Sequence, residues 1–224
     1  MAQSGLALGA DSPEKFVLQL KTAFRVAKQG GSWMAEQNQS NLHQVDWDAL
    51  PQPEDDGGGD HLLNCPLPDL LRDATTGEPV NLSTLSGRCV VFAYPMTARP
   101  DVALPDNWDM IPGARGCTPQ ACSFRDLNAE LKSAGADHVF GLSAQSSAYQ
   151  QEAAERLHLP FALLSDSDGA MCDALNLPSM MVEGTRLLKR LTFIAEQGRI
   201  TKVFYPVFPP DRSAQDVLNH LRAP

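Results

Sequence analysis

The 224-residue sequence has no cluster of lysines and arginines, no C-x-x-C cysteine pair, and no apolar run near the roughly 18 residues that a membrane span needs. Each absence removes a class of function. Clustered cations hold phosphate backbones and anionic lipid surfaces, and a formal net charge of −9 opposes both. No nucleic acid and no membrane is therefore expected as a partner. A basic start followed by an apolar core is also missing, so the expected location is cytoplasmic. Five cysteines, an odd number, do not form a secreted disulfide framework; in a reducing compartment they are buried, catalytic or metal-bound. The histidines show no ligand spacing with them, so no metal is expected.

What is present is enough apolar residue, 43%, for one α/β core. Ser12-Pro13-Glu14 is a helix start, and Phe16, Leu20, Ala23, Phe24 and Ala27 follow at helical spacing until Gly30-Gly31. From Ser32 to Asp60 the chain turns polar and acidic and ends in "PQPEDDGGGD", which buries too little apolar surface to order itself. The expected division is an N-terminal helix and acidic flexible linker over 1–60 and a main domain over 61–224.

Within that domain an apolar strand over Cys89–Tyr94 stops at Pro95. A helix is expected from Pro119 to Ser133, a strand at "HVFGLS", a helix from Ser147 to Leu157, and a short strand at "FALLS". Two strands then flank Glu196-Gln197-Gly198, and a closing helix carries Asp211 or Ser213 as its cap. This order predicts an α/β chain of thioredoxin-like fold: a central mixed β-sheet flanked by helices, with an N-terminal helical extension.

The segment "GARGCTPQACSFRD" concentrates the chemistry. Cys117 precedes Pro119 and a run of helix formers, which puts it in a first helical turn. Unpaired N–H groups and the helix dipole there favour a thiolate over a thiol. Lowering a thiol pKa from about 8.5 to about 6 raises the thiolate fraction at pH 7 from about 3% to about 90%. Arg115 adds positive charge if it turns toward the sulfur. The plainer reading makes Cys117 a small apolar residue at a core helix. Cys122 lies five positions on, a rotation of about 140° and a rise of about 7.5 Å, so the two Cα atoms of an intact helix are about 8.7 Å apart. A disulfide needs about 4.4–6.8 Å. A bridge therefore requires the first turns to unwind, which suits a catalytic switch; the alternative is a Cys122 buried beside Phe124 and Leu127. Cys89 and Cys172 read as buried small apolar residues, and Cys65 lies near the domain edge without an indicated partner.

"GCTPQACSFRD" closely resembles the "PGCTxEACxFRD" segment of the Q-type peroxiredoxins, also called bacterioferritin comigratory proteins. "LPDLLRDATTGEPVNLSTLSGRCVVFAYP" and "KRLTFIAEQGRI" are similar to the family's opening hairpin with first core strand and to its "RxTFxIDxxGxI" hairpin, so the likeness runs from about residue 62 onward. The resemblance implies a thiol peroxidase: Cys117 peroxidatic, Cys122 resolving, and Arg190 placed against the peroxidatic sulfur. Without it, Arg190 reads as a surface strand arginine beside Lys189. The resemblance further implies hydrogen peroxide and organic hydroperoxides as substrates and a thioredoxin-like or glutaredoxin-like reductant. It implies no metal, flavin or haem cofactor, and either a monomer or a homodimer.

Three features depart from the family pattern. Ala114 stands where the family has threonine, Gln120 where it has glutamate, and "MTARPDVALPDNWDMI" is inserted after Pro95. "VFYPVFPPDR" reads as rim packing, as an apolar wall of the peroxide pocket, or as a subunit contact. Two other functions compete with the peroxidase: a disulfide oxidoreductase, opposed by the five-residue cysteine spacing, and a non-enzymatic redox sensor using the N-terminal extension.

Overall fold

The computed structural model of the chain describes residues 45–223; the helix expected from Ser12 and the polar stretch after it as far as residue 44 lie outside the described residues. Strands β1 (Leu71–Arg72) and β2 (Val80–Asn81) pair antiparallel ahead of β3 (Arg88–Ala93). The run Cys89-Val90-Val91-Phe92-Ala93 is buried on both faces, and β3 accordingly takes the centre of the main sheet. After a long loop come α1 (Cys117–Asp126), α2 (Asn128–Ser133), β4 (His138–Ser143), α3 (Ser147–Arg156) and β5 (Leu163–Ser165). Then follow α4 (Ala170–Leu175), β6 (Ser179–Val182), β7 (Thr185–Leu188), β8 (Leu191–Glu196), β9 (Arg199–Phe204) and α5 (Ser213–Arg222).

The five-stranded sheet runs β5-β4-β3-β8-β9, parallel across β3, β4 and β5 and antiparallel across β3, β8 and β9. One face, with Val90, Phe92 and Ile194, packs under Phe124 of α1, Leu131 of α2, Ala153 of α3 and Val217 of α5. The opposite face, with Val91, Leu142 and Phe193, packs against Met171 and Leu175 of α4 and against Leu62 and Leu82. This is the mixed α/β arrangement of a thioredoxin-like fold.

Several local expectations change. The single helix expected to Ser133 is two helices, because the backbone at Leu127 (φ −97°, ψ 10°) leaves the helical basin between Asp126 and Asn128, both weak helix formers. Neither expected residue caps α5: a 3-10 turn over Pro210–Arg212 leads into it, the Asp211 carboxylate accepts from the Trp47 indole at 2.9 Å, and the Ser213 hydroxyl is turned inward to Thr192 at 3.0 Å. The β6–β7 hairpin forms a separate two-stranded sheet that the sequence reading did not include.

The acidic run before residue 61 is not free chain where it is described. The compact unit begins at Asp46, not at 61, and residues 46–60 lie along it as a strap. Trp47 meets Phe208 edge to face at 6.2 Å. Lys189 donates to the Asp56 carboxylate at 2.6 Å and the Tyr205 hydroxyl donates to it at 2.7 Å; the first bond and then the second hold that carboxyl well below the usual range. Composition pointed to disorder, but distant partners neutralise the acid, and Gly59 permits contact with Tyr205, whose side chain would lie 2.9 Å from any Cβ placed there.

Candidate active site

The site is built where α1 begins. Gly116 precedes the helix with φ 106°, and a Cβ there would stand 2.6 Å from Pro210 and 2.9 Å from Trp47. Only glycine combines that backbone angle with that approach. Cys117 is thereby delivered to the first turn with its side chain only 4% exposed.

Arg190, between β7 and β8, reaches the same point from the sheet and is 3% exposed. Its Nη2 donates to Cys117 Sγ at 3.3 Å and to the carbonyls of Gly113, Ala114 and Arg115 at 3.3, 3.1 and 3.2 Å. Its Nη1 donates to Gln120 Oε1. None of these partners is a carboxylate. A buried guanidinium is costly unless its donors find partners, and here the sulfur, Gln120 and the three carbonyls accept from its two amino groups.

Gln120, fully buried, is a bridge: it accepts from Arg190, and its Nε2 donates to Ser213 Oγ at 3.4 Å, with Ser213 in turn bonded to Thr192. A neutral amide fits this place, accepting on one side and donating on the other, which a carboxylate does not do. Arg115 turns away from the sulfur and pairs with Asp109, so it is not part of the group.

A second N–H reaches Cys117. The backbone amide of Met96, the first residue of the insertion, donates to Sγ at 3.4 Å. The sequence could not indicate this donor, since a main-chain amide has no side-chain signature; its only trace was the insertion after Pro95. The insertion docks through Trp108 and Ile111 on the hairpin residues Val182 and Leu187, and Asp106 N donates to Glu183 at 2.9 Å. Ala114 is buried in that apolar cluster. Its methyl offers no donor, and its carbonyl accepts from Arg190 and from the Cys117 thiol instead.

Cys122 is on α1 with Cys117, 6% exposed, in the core with Phe124; burial pushes its thiol above the ordinary range. All five cysteines are free. Cys89 is buried in β3, where burial pushes its thiol up to about 12, and Cys172 is buried in α4 with Arg186 donating to its sulfur at 2.9 Å. Cys65 is half-buried. The aromatic segment after β9 packs Val207 and Pro210 inward and presents Tyr205 and Pro206 to a cavity beside Arg190. Among the described residues no helix is long and apolar enough to cross a membrane.

A thiol at a helix start, held by a buried arginine on a thioredoxin-like sheet, defines a protein of thiol redox chemistry. Residues 62–219 match the redoxin family, and the chain belongs to that family and, within it, to the peroxiredoxins of the Q/Bcp group. It is 33% identical over 160 residues to a peroxiredoxin Q of Sedum lineare, covering 70% of this chain and 76% of the relative. It is 34% identical over 151 residues to peroxiredoxin Bcp of Escherichia coli, covering 65% and 83%. The crystal structure of peroxidoxin BcpB from Mycobacterium tuberculosis superposes with a TM-score of 0.58 at 27% identity, covering 71% of this chain and 96% of the other.

Proposed function

We propose that the chain is a thiol peroxidase that reduces hydrogen peroxide and organic hydroperoxides, with Cys117 attacking, Arg190 stabilising charge and Cys122 resolving. The observation that carries this reading is the 3.3 Å contact between a buried guanidinium lacking a carboxylate and the sulfur at the start of α1. The thiolate attacks one peroxide oxygen, and the O–O bond breaks. Cys117 becomes a sulfenic acid, and the departing oxygen takes a proton to leave as water or an alcohol. Arg190 faces the negative charge on both the attacking sulfur and the departing oxygen. The Cys122 sulfur then attacks Cys117 Sγ, expelling the sulfenic oxygen as water and forming the disulfide. A thioredoxin-like or glutaredoxin-like dithiol supplies the two electrons and two protons that reopen it.

Stopped-flow peroxide consumption by the reduced protein tests this reading. Many turnovers with a thioredoxin system are expected; slow oxidation of one equivalent without turnover would instead make the chain a redox sensor. The Met96 amide gives a finer test. Met96→Pro removes the N–H and Met96→Ala keeps it, and a hydrogen bond to a charged group contributes about 1.5–3 kcal/mol. The proline variant is expected to react with peroxide about ten- to a hundredfold more slowly than the alanine variant. Equal rates for the two folded variants would remove Met96 from the site.

A further inference from the structure

The Met96 amide approaches Cys117 Sγ, at 3.4 Å, from an awkward place: it lies past the end of β3, 21 positions before the sulfur. Residues 94–99 belong to no helix or strand, so neither a ladder nor a helical turn fixes the direction of that N–H. Chain leaving a strand in this way is ordinarily among the first parts of a fold to move.

Here one side chain takes the part of a neighbouring strand. Thr97, 1% exposed, donates its backbone N–H to Gln145 Oε1 at 2.9 Å and its hydroxyl to the same oxygen at 3.0 Å. Its carbonyl accepts from Gln145 Nε2 at 3.1 Å. The side-chain amide has one orientation that fits, since a backbone N–H only donates and a carbonyl only accepts. Gln145 is in turn pinned at the ends of two core strands. Its N–H donates to Ser143 Oγ at 3.3 Å at the end of β4, and its carbonyl accepts from Ser165 Oγ at 2.8 Å at the end of β5.

The chain is held on both sides of Met96. Before it, the Tyr94 N–H donates to the Leu142 carbonyl at 3.0 Å, and buried Gln150 donates to the Tyr94 hydroxyl at 3.4 Å and to Ser143 Oγ at 2.9 Å. After it, Arg156 of α3 donates to the Ala98 carbonyl at 2.8 Å. We propose that Gln145 is a positioning residue for peroxide attack: by clamping Thr97 at both its N–H and its carbonyl, it keeps the Met96 N–H directed at the Cys117 sulfur. The proposal rests on the peroxidase reading. Gln145 acts through Thr97 and Met96, so that a donor to the charged sulfur is in place before the reaction and needs no reorganisation during it. A carboxylate of the same length would accept the first two bonds but set an oxygen against the Thr97 carbonyl.

Gln145→Met keeps the side-chain length and removes all three bonds to Thr97. In the full chain its rate of peroxide attack, read by single-turnover stopped flow, is expected to fall about tenfold, as for a misdirected hydrogen bond to a charged group. A double-mutant cycle with the Met96 variants separates positioning from general packing. Gln145→Met should slow the Met96→Ala protein about tenfold and leave the rate of the Met96→Pro protein, which has no N–H to direct, unchanged. Equal slowing in both backgrounds, or none in either, overturns the clamp. Amide hydrogen exchange of the unaltered, reduced chain, resolved by NMR, tests the same point without any variant. Met96 and Thr97 should be protected to within about tenfold of each other, because one clamp holds both; a Met96 amide less protected than that overturns the proposal. An unaltered protein that peroxide does not oxidise rapidly fails the peroxidase reading, and the exchange measurement still judges the clamp.

Discussion

Cys117→Ser is expected to abolish peroxide consumption, whereas Cys122→Ser should react once and stop at a sulfenic acid that a dimedone-type reagent traps. The two variants differ in kind because the two sulfurs have different surroundings. Cys117 has a guanidinium and an amide N–H directed at it; Cys122 lies in the apolar core, where burial raises its thiol. Both occupy one unbroken helix, and the reach of a disulfide, about 4.4–6.8 Å between Cα atoms, is shorter than the about 8.7 Å that five helical residues impose. Peroxide treatment of the unaltered protein should therefore lower helical circular dichroism and speed amide exchange over 117–123, and reduction should reverse both. Mass spectrometry of the oxidised form should find Cys117 joined to Cys122. A bridge from Cys117 to Cys65, Cys89 or Cys172 would keep the peroxidase and reassign the resolving thiol, while an active Cys117→Ser protein would end the proposed chemistry altogether.

The second large effect is expected from Arg190→Met. Removing a donor that faces developing negative charge costs enzymes about 10²–10³ in rate, and Arg190 is the one charged donor to the sulfur among the described residues. A loss of that size in the rate of peroxide attack is expected. Stability should fall too, because Gln120 and the carbonyls of Gly113, Ala114 and Arg115 lose their shared donor, at about 1–3 kcal/mol for each group left buried and unpaired. Arg190→Lys separates the two effects. Lysine keeps the charge but lacks the planar fork that spans Gln120, three carbonyls and Sγ together. It is expected to recover part of the stability and little of the rate. Peroxide attack at the original speed in a folded Arg190→Met protein would return the residue to a packing role.

The central strand was legible in the residues because a β-branched and aromatic run with no polar interruption has few places to go but the middle of a sheet. The β8–β9 turn was legible because Gln197-Gly198 carries a glycine where φ reaches 71°. The β6–β7 hairpin was not. Its turn places Glu183 at φ 47° ahead of Gly184, and glutamate has none of the left-handed preference that marks Asn-Gly or Asp-Gly. The strap escaped for a different reason: its order comes from Lys189, Tyr205 and Asp211, more than a hundred positions away, and composition records nothing of such partners. The site divides in the same way. A thiol at a helix start could be argued from Cys117 and Pro119 alone. Arg190 lies 73 positions off and read as a surface residue until a family pattern linked the two.

Gly116 gives the proposed cycle a timekeeper. The glycine is lodged between Pro210 and Trp47, so unwinding the first turns of α1 must loosen a junction of three distant segments. How often that junction loosens determines how long the sulfenic acid waits for Cys122. During that wait a second peroxide competes to carry the sulfur to the irreversible sulfinic state. The packing of one indole and one proline ring on a glycine thus sets a concentration scale: the peroxide level at which the catalyst begins to destroy itself.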